Sequence, residues 1–177
     1  KLKQITVPIY TEMTLIDKNG NEVIKITNGE IAPKSRLTNV SVPANTLYKS
    51  ETYFASAKAM NKGDVHVSHV TGWYVNRADF EKGKRFSGVI RFATPLYGRE
   101  GLQGVVQLAL DYRHLAAYTD HVIPTQSAPV FEADASTGNY AYMVDNRGVM
   151  ISHPNDYHIG GLYADGNPVP ALTEQTS

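Results

Sequence analysis

Residues 13–25 read Met-Thr-Leu-Ile-Asp-Lys-Asn-Gly-Asn-Glu-Val-Ile-Lys, and residues 141–153 read Ala-Tyr-Met-Val-Asp-Asn-Arg-Gly-Val-Met-Ile-Ser-His. Both are a short apolar strand, an Asp-x-x-Gly turn and a second β-rich strand. In such a turn Asp17 or Asp145 accepts hydrogen bonds from nearby backbone amides, while Gly20 or Gly148 takes the positive φ that a tight hairpin requires. Two β-hairpins at opposite ends of one chain constrain it more than any other feature. They are either the openings of two related modules or two unrelated turns, and spacing alone leaves both readings open.

Between the hairpins the pattern is mixed. Residues 28–49 carry Pro33 and Pro43 without a clear period and read as an irregular cover loop. Residues 50–61 suit a helix, with Ser50 as N-cap, Phe54, Ala57 and Met60 on one face, and Lys62-Gly63 at its end. Strands are expected at about 64–70, 72–76, 88–95 and 102–111, the last two joined by Gly98-Arg-Glu-Gly101. Residues 112–122 read as a helix, and 123–138 as a linker. Short hairpin connections argue against a parallel doubly wound sheet and favour an α+β fold, an antiparallel sheet with helices packed on it.

Composition narrows the function. Lys+Arg and Asp+Glu both number 17, so the formal net charge is zero. That balance lacks the electrostatic footprint of nucleic-acid binding, and the strongest basic cluster is only Lys82, Lys84 and Arg85. Cysteine is absent, which removes thiolate catalysis and Cys-ligated metal. No apolar run approaches the roughly 18 residues of a membrane span. The chain opens on Lys1 with no signal-peptide pattern and is expected to be a piece of a longer protein. Phosphate-binding, nucleophile-elbow and zinc-protease motifs are missing, so neither catalysis nor a cofactor is expected.

Several segments together resemble the extracytoplasmic Cache (PAS-like) sensor domains of bacterial receptors, most nearly the double-Cache type of sensor histidine kinases. They are Ile16-Asp-Lys-Asn-Gly-Asn-Glu-Val23, Tyr53-Phe54, Gly63-Asp-Val-His-Val-Ser68, Val89-Ile-Arg-Phe-Ala-Thr-Pro-Leu-Tyr97 and Gly101-Leu-Gln-Gly-Val-Val106. The stretch from Tyr142 to Pro154 is similar to the first hairpin of a second, membrane-proximal Cache module. The resemblance implies an antiparallel sheet of about five strands and a long N-terminal helix, here represented at most by Lys1 to Val7. It implies a distal sensor module over 1–122, a linker at 123–138, and the start of a truncated proximal module over 139–177. It also implies a non-catalytic periplasmic sensor from an inner-membrane receptor that is a homodimer at full length. A chemoreceptor or a cyclic-dinucleotide enzyme could carry the same input module.

Strand alternation places His66 and Ser68 on one face of their strand, Arg91 with Ala93 on the next, and Val105, Gln107, Ala109 and Asp111 on one face of the last. A pocket of Tyr53, His66, Ser68, Trp73, Tyr74, Arg91, Gln107 and Asp111 would suit a small polar or anionic ligand. Arg91 is the expected charge partner, since guanidinium offers a bidentate fork to carboxylate. The alternative is that Arg91 pairs with an acidic neighbour of its own chain. Amino-acid-binding Cache domains place an Asp where this sequence has Ala109, which favours a carboxylate or neutral metabolite over an α-amino group. A second cluster, His153, Asp156 and His158, could in principle serve a small metal-dependent hydrolase, but no fourth ligand accompanies it and no metal is expected.

Overall fold

The computed structural model describes residues 8–170. The N-terminal segment Lys1 to Val7 lies outside the described residues. Two compact units divide the rest: Pro8–Thr71 with Val89–Asp111 form a sheet unit, and Gly72–Gly88 with 112–170 form the other.

The sheet unit is built from β1 (Tyr10–Asp17), β2 (Glu22–Thr27), β3 (Glu30–Ile31), the helix α1 (Tyr53–Lys58) and β4 (His66–Val67). After β5 (Thr71–Gly72), at the boundary of the units, come the two long strands β6 (Gly88–Gly98) and β7 (Gly101–Asp111). The strands follow the path β3-β2-β1-β7-β6-β4, antiparallel at each step. Antiparallel pairing is what the sequence pattern predicts. The insertion of β1 between β2 and β7 is not, because it joins segments some ninety residues apart. In that pairing Gly104 lies opposite Asp17, and a Cβ at 104 would stand 2.1 Å from the Ile16 carbonyl oxygen.

The predicted helix over 50–61 is shorter than its apolar spacing suggests. It begins after Thr52 rather than Ser50 and is continued by a turn at Met60. It buries Tyr53, Phe54 and Ala57, which meet Ile16, Val40, Ala93 and Val105 in the core. Each large apolar side chain buried there contributes about 2 kcal/mol. The 72–76 segment is extended only over Thr71–Gly72; Asn76 then caps a short helix α2 (Arg77–Glu81) by accepting the Asp79 amide at 2.9 Å.

The second unit carries α2, α3 (Arg113–Asp120) and the two-stranded hairpin of β8 (Met143–Val144) and β9 (Met150–Ser152). The edge-to-face pair of Phe86 and Tyr112, 4.8 Å between centroids, holds residues far apart in sequence. The Glu132 carboxylate accepts from Arg85 at 2.8 Å. The segment expected to be a linker is tied into this unit: Val130 and Ala133 donate their amides to the His121 and Asp120 carbonyls at 3.0 and 2.7 Å. A boundary at 122 therefore does not follow the spatial division. The chain leaves the sheet unit after Thr71, returns as the β6–β7 hairpin, and leaves again after Asp111.

The two Asp-x-x-Gly turns share one geometry. Asp17 Oδ1 accepts the amides of Asn19 and Asn21 at 2.8 and 2.9 Å, and Asp145 Oδ1 accepts those of Arg147 and Val149 at 2.8 and 3.0 Å. Gly20 and Gly148 take φ of 91° and 79°. The two hairpins belong to different sheets.

Candidate functional site

The sheet unit distributes polarity against the usual rule. On its covered face β1 presents Glu12, Thr14 and Ile16, β6 presents Val89, Arg91 and Ala93, and β7 presents Val105, Gln107, Ala109 and Asp111, all buried. The opposite face carries the row Met13, Leu108, Phe92 and Val67, paired strand to strand, with Met13 47% exposed. A sheet built only for stability would not bury Glu12, Thr14, Arg91, Gln107 and Asp111 on one face while leaving Met13 half-exposed on the other.

Arg91 anchors the covered face at 1% exposure. Its Nη1 donates to Glu12 Oε1 at 2.6 Å, its Nη2 to Glu51 Oε2 at 3.2 Å, and its Nε to Glu51 Oε1. The guanidinium carbon lies 4.7 Å from the centre of the Tyr53 ring. Glu12 and Arg91 flank Ala109 in the register, and its single methyl leaves room for the two to meet across β7. Glu51 sits in the turn before α1 and also accepts the Tyr48 amide at 3.1 Å. Lys25 extends the network, 3.2 Å from Glu12 and 2.8 Å from Glu22. The cluster holds three carboxylates and two cations.

Burial alone would raise the Glu12 pKa, but Arg91 and Lys25 outweigh it and hold the carboxyl below its ordinary value. Burial likewise works against the Arg91 charge, and Glu12 and Glu51 reverse it, leaving the guanidinium above the usual arginine range. Burial, then Glu51, pushes Tyr48 up to about 12, so its hydroxyl stays protonated at neutral pH.

The predicted site residues fall into three groups. Tyr53, Arg91, Gln107 and Asp111 are buried on or against the covered face, as alternation requires. Arg91 corrects the expectation of a charge partner waiting for an anion: both edges of its fork and one face are already occupied by Glu51, Glu12 and Tyr53. Of the edge residues, His66 is half-buried opposite Ala93, and its pKa is lowered by burial and by His69. The Ser68 hydroxyl accepts the Arg91 amide and donates to the His69 carbonyl, both at 2.8 Å, which makes it a strand-edge clamp. Trp73 and Tyr74 belong to the second unit, where Trp73 bridges Leu162 and Tyr74 meets the Tyr163 ring edge-on at 6.3 Å. The expected pocket with both of them in it is therefore not assembled within the sheet unit, and strand alternation says nothing about which unit a segment joins.

Gln107 is the exception on this face. It is 0% exposed, yet neither Nε2 nor Oε1 of its amide has a hydrogen-bond partner. An unpaired buried polar group costs about 1–3 kcal/mol, so this amide is a sink of stability unless something else meets it.

Sequence reasoning missed Glu12, Glu22, Lys25 and Glu51. For Glu12 a signal exists, because extending the alternation of β1 back from Ile16 puts Thr14 and Glu12 on the same face. For Glu51 there is none, as residues 46–52 have no period.

The His153, Asp156 and His158 cluster does not form a ligand set. His153 Nδ1 accepts the Asn155 amide at 2.8 Å, its ring centroid lies 4.5 Å from that of His158, and Asp156 accepts the Phe86 amide. Burial, with Asp120 and Glu132 nearby, pushes Asp156 up to about 6. Among the described residues no group of three or more histidine, aspartate or glutamate side chains is placed to hold a metal ion.

Comparison with known proteins adds the fold. No family model matches the sequence, and no curated protein matches it. Solved structures do. One is the extracellular domain of a protein assigned as the histidine kinase vpHK1S-Z8, at 14% identity and a TM-score of 0.52, covering 85% of this chain and 47% of that one. Another is a domain of a protein assigned to the sensory box/GGDEF family of Vibrio parahaemolyticus, at 14% identity and a TM-score of 0.54, covering 85% and 50%. The fold is that of Cache-type sensor domains. A third structure, the ligand-binding domain of the Pseudomonas aeruginosa PAO1 amino acid chemoreceptor PctC in complex with GABA, agrees at 14% identity and a TM-score of 0.51, covering 85% and 52%. The chain spans about half the length of these structures. No helix among the described residues is long and apolar enough to cross a membrane.

Proposed function

We propose that this chain is the extracytoplasmic ligand-sensing part of a membrane-anchored bacterial receptor, a sensor histidine kinase in the first instance, and that it performs no catalysis itself. The parent is a homodimer in the inner membrane. A chemoreceptor or a cyclic-dinucleotide enzyme would use the same input in the same way. The ligand is a small polar metabolite held over β1, β6 and β7 beneath α1, among Tyr53, Gln107 and the half-buried His66. The observation that carries this reading is the polar covered face with the unmet Gln107 amide at its centre, on a fold shared with ligand-binding sensor domains. Stability is being spent there, and ligand recognition is a use for which polar groups are kept buried.

Arg91 supports the site from behind: it ties the Glu51 turn to the sheet and thereby sets where the cover sits. A ligand that binds one arrangement of cover and sheet better than another shifts the population between them, which is the only way binding can be relayed.

A thermal-shift screen of the purified chain against small metabolites tests the proposal. A true ligand present at 100 times its Kd adds about 2.7 kcal/mol to the folded state, a displacement of several degrees in Tm. A broad screen of amino acids, amides, organic acids and amines that moves the transition nowhere would contradict it.

A further inference from the structure

Strand register fixes the surroundings of the Gln107 amide. In the row across the sheet its neighbours are Thr14 on β1 and Ala93 on β6. Alanine offers nothing, and the Thr14 hydroxyl is directed to Glu12 Oε1 at 3.5 Å. The charged groups of the cluster are paired with one another: Arg91 with Glu12 and Glu51, Lys25 with Glu12 and Glu22. Among the described residues of the sheet unit, the buried side-chain N and O atoms left open are the acceptor and the donor of this one amide.

We infer that Gln107 reads an uncharged planar group that presents a donor and an acceptor side by side, such as a carboxamide, ureido or lactam edge, and that the sensed metabolite carries such a group. This rests on the sensing function proposed above and names the class of ligand for it. Two parallel hydrogen bonds between such an edge and the amide satisfy both open atoms at once. A carboxylate accepts only: it would leave Gln107 Oε1 against its lone pairs and add a negative charge beside three carboxylates. An ammonium donates only: it would leave Nε2 unmet, and Glu12, Glu22 and Glu51 are committed to Arg91 and Lys25, while Asp111 lies four residues along β7 from Gln107. The neutral edge is the one that costs no buried charge.

The test uses three four-carbon probes of matched span, succinamide, succinate and 1,4-diaminobutane, titrated calorimetrically into the whole chain and into its Gln107→Met and Gln107→Leu variants. Succinamide should bind the wild type at least ten-fold more tightly than either charged probe. The apolar variants should melt at a higher temperature than the wild type, because the open amide is gone, and should lose ten-fold or more in succinamide affinity. Succinate or 1,4-diaminobutane binding as tightly as succinamide overturns the inference on the wild type alone, whether or not the variants fold. A variant that melts lower with its affinity for succinamide unchanged overturns it as well, since Gln107 would then be structural. A screening hit without such an edge that binds Gln107→Met as tightly as the wild type also overturns it, and leaves the sensing function standing. A screen without any hit removes the sensing function itself.

Discussion

Arg91→Met is expected to destabilise the sheet unit by about 3–5 kcal/mol, a large fraction of the roughly 5–15 kcal/mol by which an ordinary domain is stable. The cost comes from what remains. Glu51 would keep its burial and lose the cation that neutralises it, Glu12 would be left with Lys25 alone, and an uncompensated buried carboxylate must protonate or drag water inward. The pH dependence carries the same signature. In the wild type Glu12 has a folded-state pKa below its ordinary 4.5, so its contribution is present above that value and is lost as pH falls through the folded pKa. Without Arg91 only Lys25 opposes the burial effect on Glu12, the folded pKa is expected to move upward, and the variant should lose less of its stability between pH 7.5 and pH 5 than the wild type does. Urea denaturation of both proteins at those two pH values measures this directly. Replacing Arg91, Glu12 and Glu51 together by methionine should recover most of the loss, because the charges then leave as a set. An Arg91→Met variant within 1 kcal/mol of the wild type would show that the guanidinium is not the keystone of this face.

Gly104→Ala should cost about 3 kcal/mol, the upper end of the usual overpacking penalty. The added methyl would stand 2.1 Å from the Ile16 carbonyl oxygen, and that obstacle is backbone rather than the end of a flexible side chain. Relief requires β1 and β7 to separate at the pair Asp17–Gly104, next to the buried Ile16 and Val105 of the core. Denaturation midpoints of the purified variant and wild type decide the point. A loss smaller than 1 kcal/mol would mean that the two strands are not in this register.

Legibility in the sequence followed range of interaction. The β6–β7 hairpin is apparent because Gly98 and Gly101 punctuate two apolar runs, and period-two alternation assigns the faces of Arg91, Gln107 and Ala109 correctly. The turns at Asp17 and Asp145 are legible for the same local reason. The placement of β1 beside β7 is not, since pairing across so long a gap leaves no trace in any window of the sequence. The face of Glu12 is legible by alternation, but without that pairing nothing brings it to Arg91 across Ala109. Both readings of Arg91, ligand partner or internal ion pair, fit the residues of β6 equally well. The choice between them depended on Glu51, forty residues away in an aperiodic turn. Gln107 is the reverse case: its face is legible, but that its amide goes unmet is visible only once every neighbour is in place.

Hydrogen–deuterium exchange, with and without a saturating ligand taken from the metabolite screen, tests the central claim most directly. The amides of Val89–Pro95 and of residues 104–111, together with those of α1, should exchange more slowly when the ligand is present, with the largest change around Gln107. Protection confined to the second unit, or unchanged exchange in β6, β7 and α1 at saturation, would contradict a ligand site on the covered face of the sheet.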